Sequence, residues 1–163
     1  MPPRSKAAMS APQTLDLQPF LPYRLSVLAN RSSDALAREY SQRFGLGVTE
    51  WRVMAVLGRY PGLSANEVAA RTAMDKVAVS RAVARLLERG QVVREFADED
   101  RRRSALRLTK AGQKIYGQIV PLALGFEELL LADMSAAERK LLFRLLDRLD
   151  ALELRAEMGT ASA

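Results

Sequence analysis

A chain of 163 residues with 25 Lys and Arg, 19 Asp and Glu, no cysteine and no histidine carries a formal charge of +6. This composition excludes disulfides, thiolate nucleophiles, histidine acid–base pairs and the usual zinc sites, so neither catalytic residues nor metal nor cofactor is expected. With 48% hydrophobic residues the chain can build one core, most simply as a single domain.

Residues 1–16 are rich in Pro, Ala, Ser and basic residues and are expected to form a disordered arm. Arg4 and Lys6 could touch DNA from that arm, although a solvated tail is the simpler reading. Residues 1–13 contain no apolar stretch of signal-peptide length, and no later segment reaches the roughly 18 apolar residues of a membrane span, which predicts a cytoplasmic protein without a membrane partner.

A first helix is predicted from near Pro19 or Pro22 to Phe44, because proline is tolerated in a first turn and Gly45 can end it. Leu21, Leu25, Leu28, Leu36, Tyr40 and Phe44 form its apolar stripe. Tyr23, Arg24, Asn30 and Arg31 interrupt the helix with polar groups that either face solvent or line a small-molecule pocket. Thr49 can cap a second helix whose Trp51, Val53, Met54, Val56 and Leu57 supply apolar volume before a break at Tyr60-Pro61-Gly62. Trp51 reads first as core, yet its indole N–H needs a partner if buried, and a ligand could provide one.

Ser64 and Glu67 have the spacing of a capping box, which starts a short helix over 65–71. After a turn at 72–74, Asp75 is a good N-cap for a further helix. Along that helix Val79, Val83 and Leu86 mark one face, while Lys76, Ser80, Arg81, Ala84 and Arg85 lie toward the other. Gly90 is expected to close it in the left-handed conformation. Two strands follow, over about 91–96 and 104–109, around a loop that reads Asp98, Glu99, Asp100, Arg101, Arg102, Arg103.

Thr109 can cap a long helix running to about Leu131, with Pro121 inside its pattern and expected to kink or break it at about 3 kcal/mol. A second capping box, Ser135 with Glu138, opens a last helix bearing Leu142, Leu145, Leu146, Leu149 and Leu152. Leucines on both terminal helices exceed what one lobe of this size needs, which points to a homodimer. Residues 158–163 are expected to be a disordered tail. The charge is not evenly spread: residues 71–114 hold 12 of the basic and 6 of the acidic residues, leaving 13 of each elsewhere. The whole excess lies on the helix–hairpin segment, as expected where phosphates are contacted.

The run from Asp100 to Gly112 resembles the D-x-R-x-x-x-L-x-L-T-x-x-G wing signature of MarR-type winged helix-turn-helix regulators. Val79-Ser80-Arg81 and Leu86-Leu87-Glu88-Arg89-Gly90 are similar to that family's recognition helix, and the resemblance extends over about residues 17–154. Gln91 departs from the aliphatic residue usual there, so the start of the first wing strand is expected to pack differently.

The resemblance implies a mainly α fold with a small β wing. A single domain over 17–157 would place a winged helix-turn-helix at about 46–112 between dimerisation helices at 17–45 and 112–157. It implies a ligand-responsive repressor, bound as a homodimer to a pseudopalindromic double-stranded DNA operator. Asp75 would cap the recognition helix, and Lys76, Ser80, Arg81 and Arg85 would contact bases and phosphates in the major groove. Arg102 occupies the wing arginine position for the adjacent minor groove, with Asp100 holding it and Arg101 and Arg103 meeting phosphates. Ser64 and Asn66, at a helix N-terminus, suit a backbone phosphate. The family's effector site implies a small aromatic carboxylate or phenolic compound, or an aromatic acyl thioester, held by Tyr23, Arg24, Asn30, Arg31, Trp51 and Met54. Two other readings stay open: an architectural DNA binder without effector, and a winged-helix adaptor that binds protein.

Overall fold

The computed structural model describes residues 14–97 and 100–152, with residues 97 and 100–103 described by their backbone alone. Most of the expected N-terminal arm, the C-terminal tail and the loop residues Asp98 and Glu99 lie outside the described residues. In chain order the elements are α1 (Leu21–Phe44), α2 (Val48–Arg59), α3 (Ala65–Thr72), α4 (Lys76–Glu88), β1 (Val92–Ala97), β2 (Asp100–Leu108), α5 (Lys110–Leu130) and α6 (Ala136–Asp150). Among the described residues the chain is thus mainly helical with one two-stranded antiparallel sheet, the fold class that the resemblance implies. It divides into two compact units, one through Val48 and one from Thr49 onward.

The first unit is α1 and the turn after it. Pro22 sits in the first turn, where its missing N–H costs nothing, and Gly45 ends the helix at φ +62°, donating its N–H to the Ser41 carbonyl at 2.8 Å. Tyr40 is the one residue of α1 that is buried.

The second unit holds α2 to α6. Val53, Met54 and Leu57 of α2, Val68 and Ala69 of α3, and Val79, Ala82, Val83 and Leu86 of α4 are buried, together with Val92, Leu106 and Leu108 of the sheet and Ile119 of α5. α4 packs on α3 and β1, and α5 on β2. Val79, Val83 and Leu86 contribute about 1.5–3 kcal/mol each and Ala82 about 0.8, so the four buried positions of α4 hold it by one face. The segment ahead of α3 is tied to the wing, since Gly62 N–H donates to the Leu106 carbonyl (2.9 Å) and Leu106 N–H donates to that of Leu63 (2.8 Å).

The Leu-Thr-x-x-Gly end of the signature forms the joint between wing and α5. The Thr109 hydroxyl accepts from Gly112 N–H at 3.1 Å, capping α5, and donates to the Gly90 carbonyl at 2.7 Å. Thr109 N–H donates to the Gln91 carbonyl at 3.1 Å. Gly112 completes the contact, because a Cβ built there would stand 2.0 Å from that same carbonyl oxygen. Gln91 is buried and, among the described residues, its side-chain Oε1 has no hydrogen-bond partner.

The starts of two elements differ from the sequence reading. α2 begins at Val48, so Thr49 lies within its first turn and is not its cap. β2 begins at Asp100, ahead of the expected start at 104; the Asp-Arg-Arg-Arg run lacks the alternation that marks a half-buried strand, which hid this start in the sequence. α5 ends at Leu130, close to the expected Leu131, and Pro121 does not break it, since one lost hydrogen bond is carried by the other turns of a 21-residue helix. The capping box of α6 forms as read, and the hydrogen bond from the Ser135 hydroxyl to Glu138 holds that carboxyl below the usual carboxylate range.

Candidate nucleic-acid interface

α4 is a helix with two unlike faces. Asp75 caps it, its Oδ1 accepting from the N–H groups of Val77 and Ala78 at 2.9 Å each. With one stripe buried, Lys76, Val77, Ser80, Arg81, Ala84 and Arg85 are left exposed. Lys76, Ser80 and Arg81 occupy the first two turns, so their donors lie together on the N-terminal half. Val77 belongs to the same half and is 55% exposed, which gives this surface an apolar group able to meet a thymine methyl. The sequence reading overlooked it because it followed only the buried period. Projected on a helix, Val77 falls opposite Val79.

Arg85 is placed differently. Its Nε lies 2.5 Å from Oε1 of Glu50 on α2, and Nη1 of Arg89 lies 3.8 Å from the other carboxylate oxygen. The Glu50 side chain is 4% exposed, whereas those of Arg85 and Arg89 are about half exposed. Sequence reasoning missed Glu50, and no local pattern marks it, because its partner is 35 residues away.

At the start of α3 the capping box closes on itself. The Ser64 hydroxyl accepts from Glu67 N–H (3.3 Å), and the Glu67 carboxylate accepts from Ser64 N–H (2.7 Å). Asn66 next to it is exposed. An open cleft of about 750 Å³ separates this first turn from the wing, lined by Ser64, Asn66, Arg94, Phe96 and Ser104 among others. Across the sheet, Arg107 pairs with Glu95 at 2.8 Å; both are about half exposed, so the pair contributes at most about 1 kcal/mol. Asp100, Arg101, Arg102 and Arg103 stand on β2, whose backbone places them at the loop end of the wing; their side chains lie outside the described residues.

The candidate effector residues fall on both units. Tyr23, Arg24, Asn30 and Arg31 are exposed on α1. In the second unit Met54 is fully buried, whereas Trp51 is half-buried and stacks on Tyr116 of α5 with ring centroids 6.0 Å apart. Gly58 makes room for that tyrosine, since a Cβ there would stand 2.6 Å from its ring. Another aromatic, Tyr60, lies under two guanidinium groups, Arg71 at 4.1 Å and Arg59 at 5.1 Å from its centroid.

Comparison with known proteins places this arrangement. Residues 44–103 match the family model described as MarR family. The chain is 30% identical over 108 residues to the HTH-type transcriptional regulator BilQ of Clostridium symbiosum, covering 66% of this chain and 75% of that one. Its structure is similar to that of a MarR/EmrR family transcriptional regulator from Acinetobacter sp. ADP1, with TM-score 0.77, 32% identity, and 83% and 96% of the two chains covered. It is also similar to the PcaV transcriptional regulator of Streptomyces coelicolor, solved in complex with its natural ligand, with TM-score 0.71, 25% identity and coverage of 85% and 98%. The chain therefore belongs to the MarR family of DNA-binding winged helix-turn-helix transcriptional regulators.

Proposed function

We propose that this regulator is a cytoplasmic repressor that binds a pseudopalindromic operator as a homodimer and is released by a small aromatic effector. It would act by binding, without catalysis. The observation that carries the reading is α4: a helix buried along one stripe that offers Lys76, Ser80 and Arg81 to solvent on its capped N-terminal half. A helix so held can enter a major groove as a rigid body, with Arg81 able to make a bidentate contact to guanine. Arg102, with Asp100, Arg101 and Arg103 beside it, serves as the minor-groove and phosphate contact of the wing. A phosphate at α3 would accept from Asn66, the adjoining backbone and the Ser64 hydroxyl, which its capping box uses only as an acceptor.

The homodimer is supported by α6, none of whose residues is buried in the single chain. An effector is supported by the similar PcaV regulator, whose structure contains its natural ligand. Trp51 is the one tryptophan and reports on its surroundings. Among the described residues no helix is long and apolar enough to cross a membrane.

Selection from a random double-stranded pool tests the reading. It should return an inverted repeat with half-site centres about 10 bp apart. Arg102→Ala should then lower the slope of log affinity against log salt by about 0.9. An aromatic acid that quenches Trp51 should weaken operator binding over the same concentration range. Equal affinity for unrelated sequences would point to an architectural protein, and absence of DNA binding to a protein-binding adaptor.

A further inference from the structure

Glu50 is a buried carboxylate that none of the proposed DNA contacts uses. It stands in the first turn of α2, and its two oxygens face Arg85 and Arg89, in the last turn and at the C-cap of α4. A carboxylate withdrawn from water is costly unless it is paired, so the positions of these side chains are tied together. The two helix dipoles favour the arrangement, with the acid at the N-terminus of α2 and the cations at the C-terminus of α4.

The geometry turns the clamp into a lever. Lys76 and Arg85 are nine residues apart, which is about 13.5 Å along the axis. A tilt of about 10° about the clamped end would carry Lys76 by about 2 Å, far more than a hydrogen bond to a base edge tolerates.

We propose that Glu50 is a positioning residue for DNA reading, and that Arg85 is its anchor on the recognition helix and not a base contact. This rests on the operator-binding reading above.

The test uses the full chain, the DNA recovered from the random pool and an unrelated duplex, below the melting onset of every variant. Glu50→Gln and Arg85→Gln should each lower specific affinity about tenfold, the size of effect expected when a base contact is lost. Non-specific affinity should stay within about twofold and the salt slope should not change. The double variant should be no weaker than the worse single one, because the two residues act as a unit. Should Glu50→Gln fail to fold, Arg85→Gln carries the test, since it leaves Glu50 facing Arg89.

A salt slope lowered by about 0.9 in Arg85→Gln would make Arg85 a phosphate contact and overturn the proposal. So would a Glu50→Gln protein that melts earlier yet discriminates sequences as well as wild type, for Glu50 would then be structural only. Wild-type protein that selects no sequence would instead overturn the operator reading, and this inference with it.

Discussion

Gly112 sets how closely α5 can approach the end of the recognition helix. Glycine within a helix normally costs about 0.5–1 kcal/mol relative to alanine, so Gly→Ala should stabilise wherever space allows. At Gly117, in the same helix, nothing lies within 4 Å of the added methyl. At Gly112 the methyl would meet the Gln91 carbonyl oxygen at 2.0 Å, and backbone held by Thr109 cannot step aside cheaply. Overpacking of about 1–3 kcal/mol outweighs the helix gain. Gly117→Ala should therefore raise the melting temperature by about 1–4 °C and Gly112→Ala should lower it by several degrees, given about 2–4 °C per kcal/mol for a chain of this size. Thermal melts of the two variants check this, and a shift of the same sign in both would refute the close-contact account. The pattern Leu108-Thr109 with Gly112 was legible in the sequence as part of a signature, but its cause was not. It lies in the approach of a backbone 21 positions away, which no local spacing encodes.

At the scale of elements, what was legible followed from short-range chemistry. Both Ser-x-x-Glu boxes and the Asp75 cap formed where the residues placed them, since caps are satisfied within one turn. The early start of β2 was hidden by charged residues without alternation, and the Glu50 clamp by its 35-residue separation. Asp75 bears on function as well as stability. Its carboxylate accepts two N–H groups of the first turn of α4, the turn that carries Lys76. Asp75→Ala should cost about 1 kcal/mol of stability, within the usual range of about 0.5–2 for an N-cap. It should also fray the end of the helix proposed to enter the groove, weakening specific DNA binding while the far end stays fixed. Denaturant titration alongside specific and non-specific binding measures both effects. Asp75→Asn, which retains an accepting oxygen, should recover most of the loss; if it binds no better than the alanine variant, the cap is not what Asp75 supplies.

For the whole molecule the unresolved weight lies in its apolar surface. Leu141, Phe143, Leu145, Leu146 and Leu149 of α6 are each more than a third exposed, as are Leu124, Leu129 and Leu130 of α5. A single chain leaves this surface in water, whereas a two-fold partner would use every contact twice. If each of the five α6 side chains recovers only about 1 kcal/mol, two copies gain about 10 kcal/mol, which is within the range of about 4–15 kcal/mol that association costs. If the α5 leucines of both copies were covered as well, the balance would favour the dimer proposed above. A carboxylate placed in that interface would have no partner and would have to be desolvated. Leu145→Asp and Leu149→Asp should therefore yield a chain of 18.1 kDa by light scattering, with wild type at twice that mass. Both positions are exposed in the single chain, so circular dichroism should show the helices of the monomeric variants retained. Such a monomer can engage only one half-site at a time. It should lose the second contact's gain in avidity, about 10²- to 10⁴-fold on the full inverted repeat, while binding an isolated half-site as wild type does. A wild-type protein that runs as a folded monomer at micromolar concentration would refute the dimer. Full-strength binding of the inverted repeat by a monomeric variant would show that one copy is enough to read the DNA.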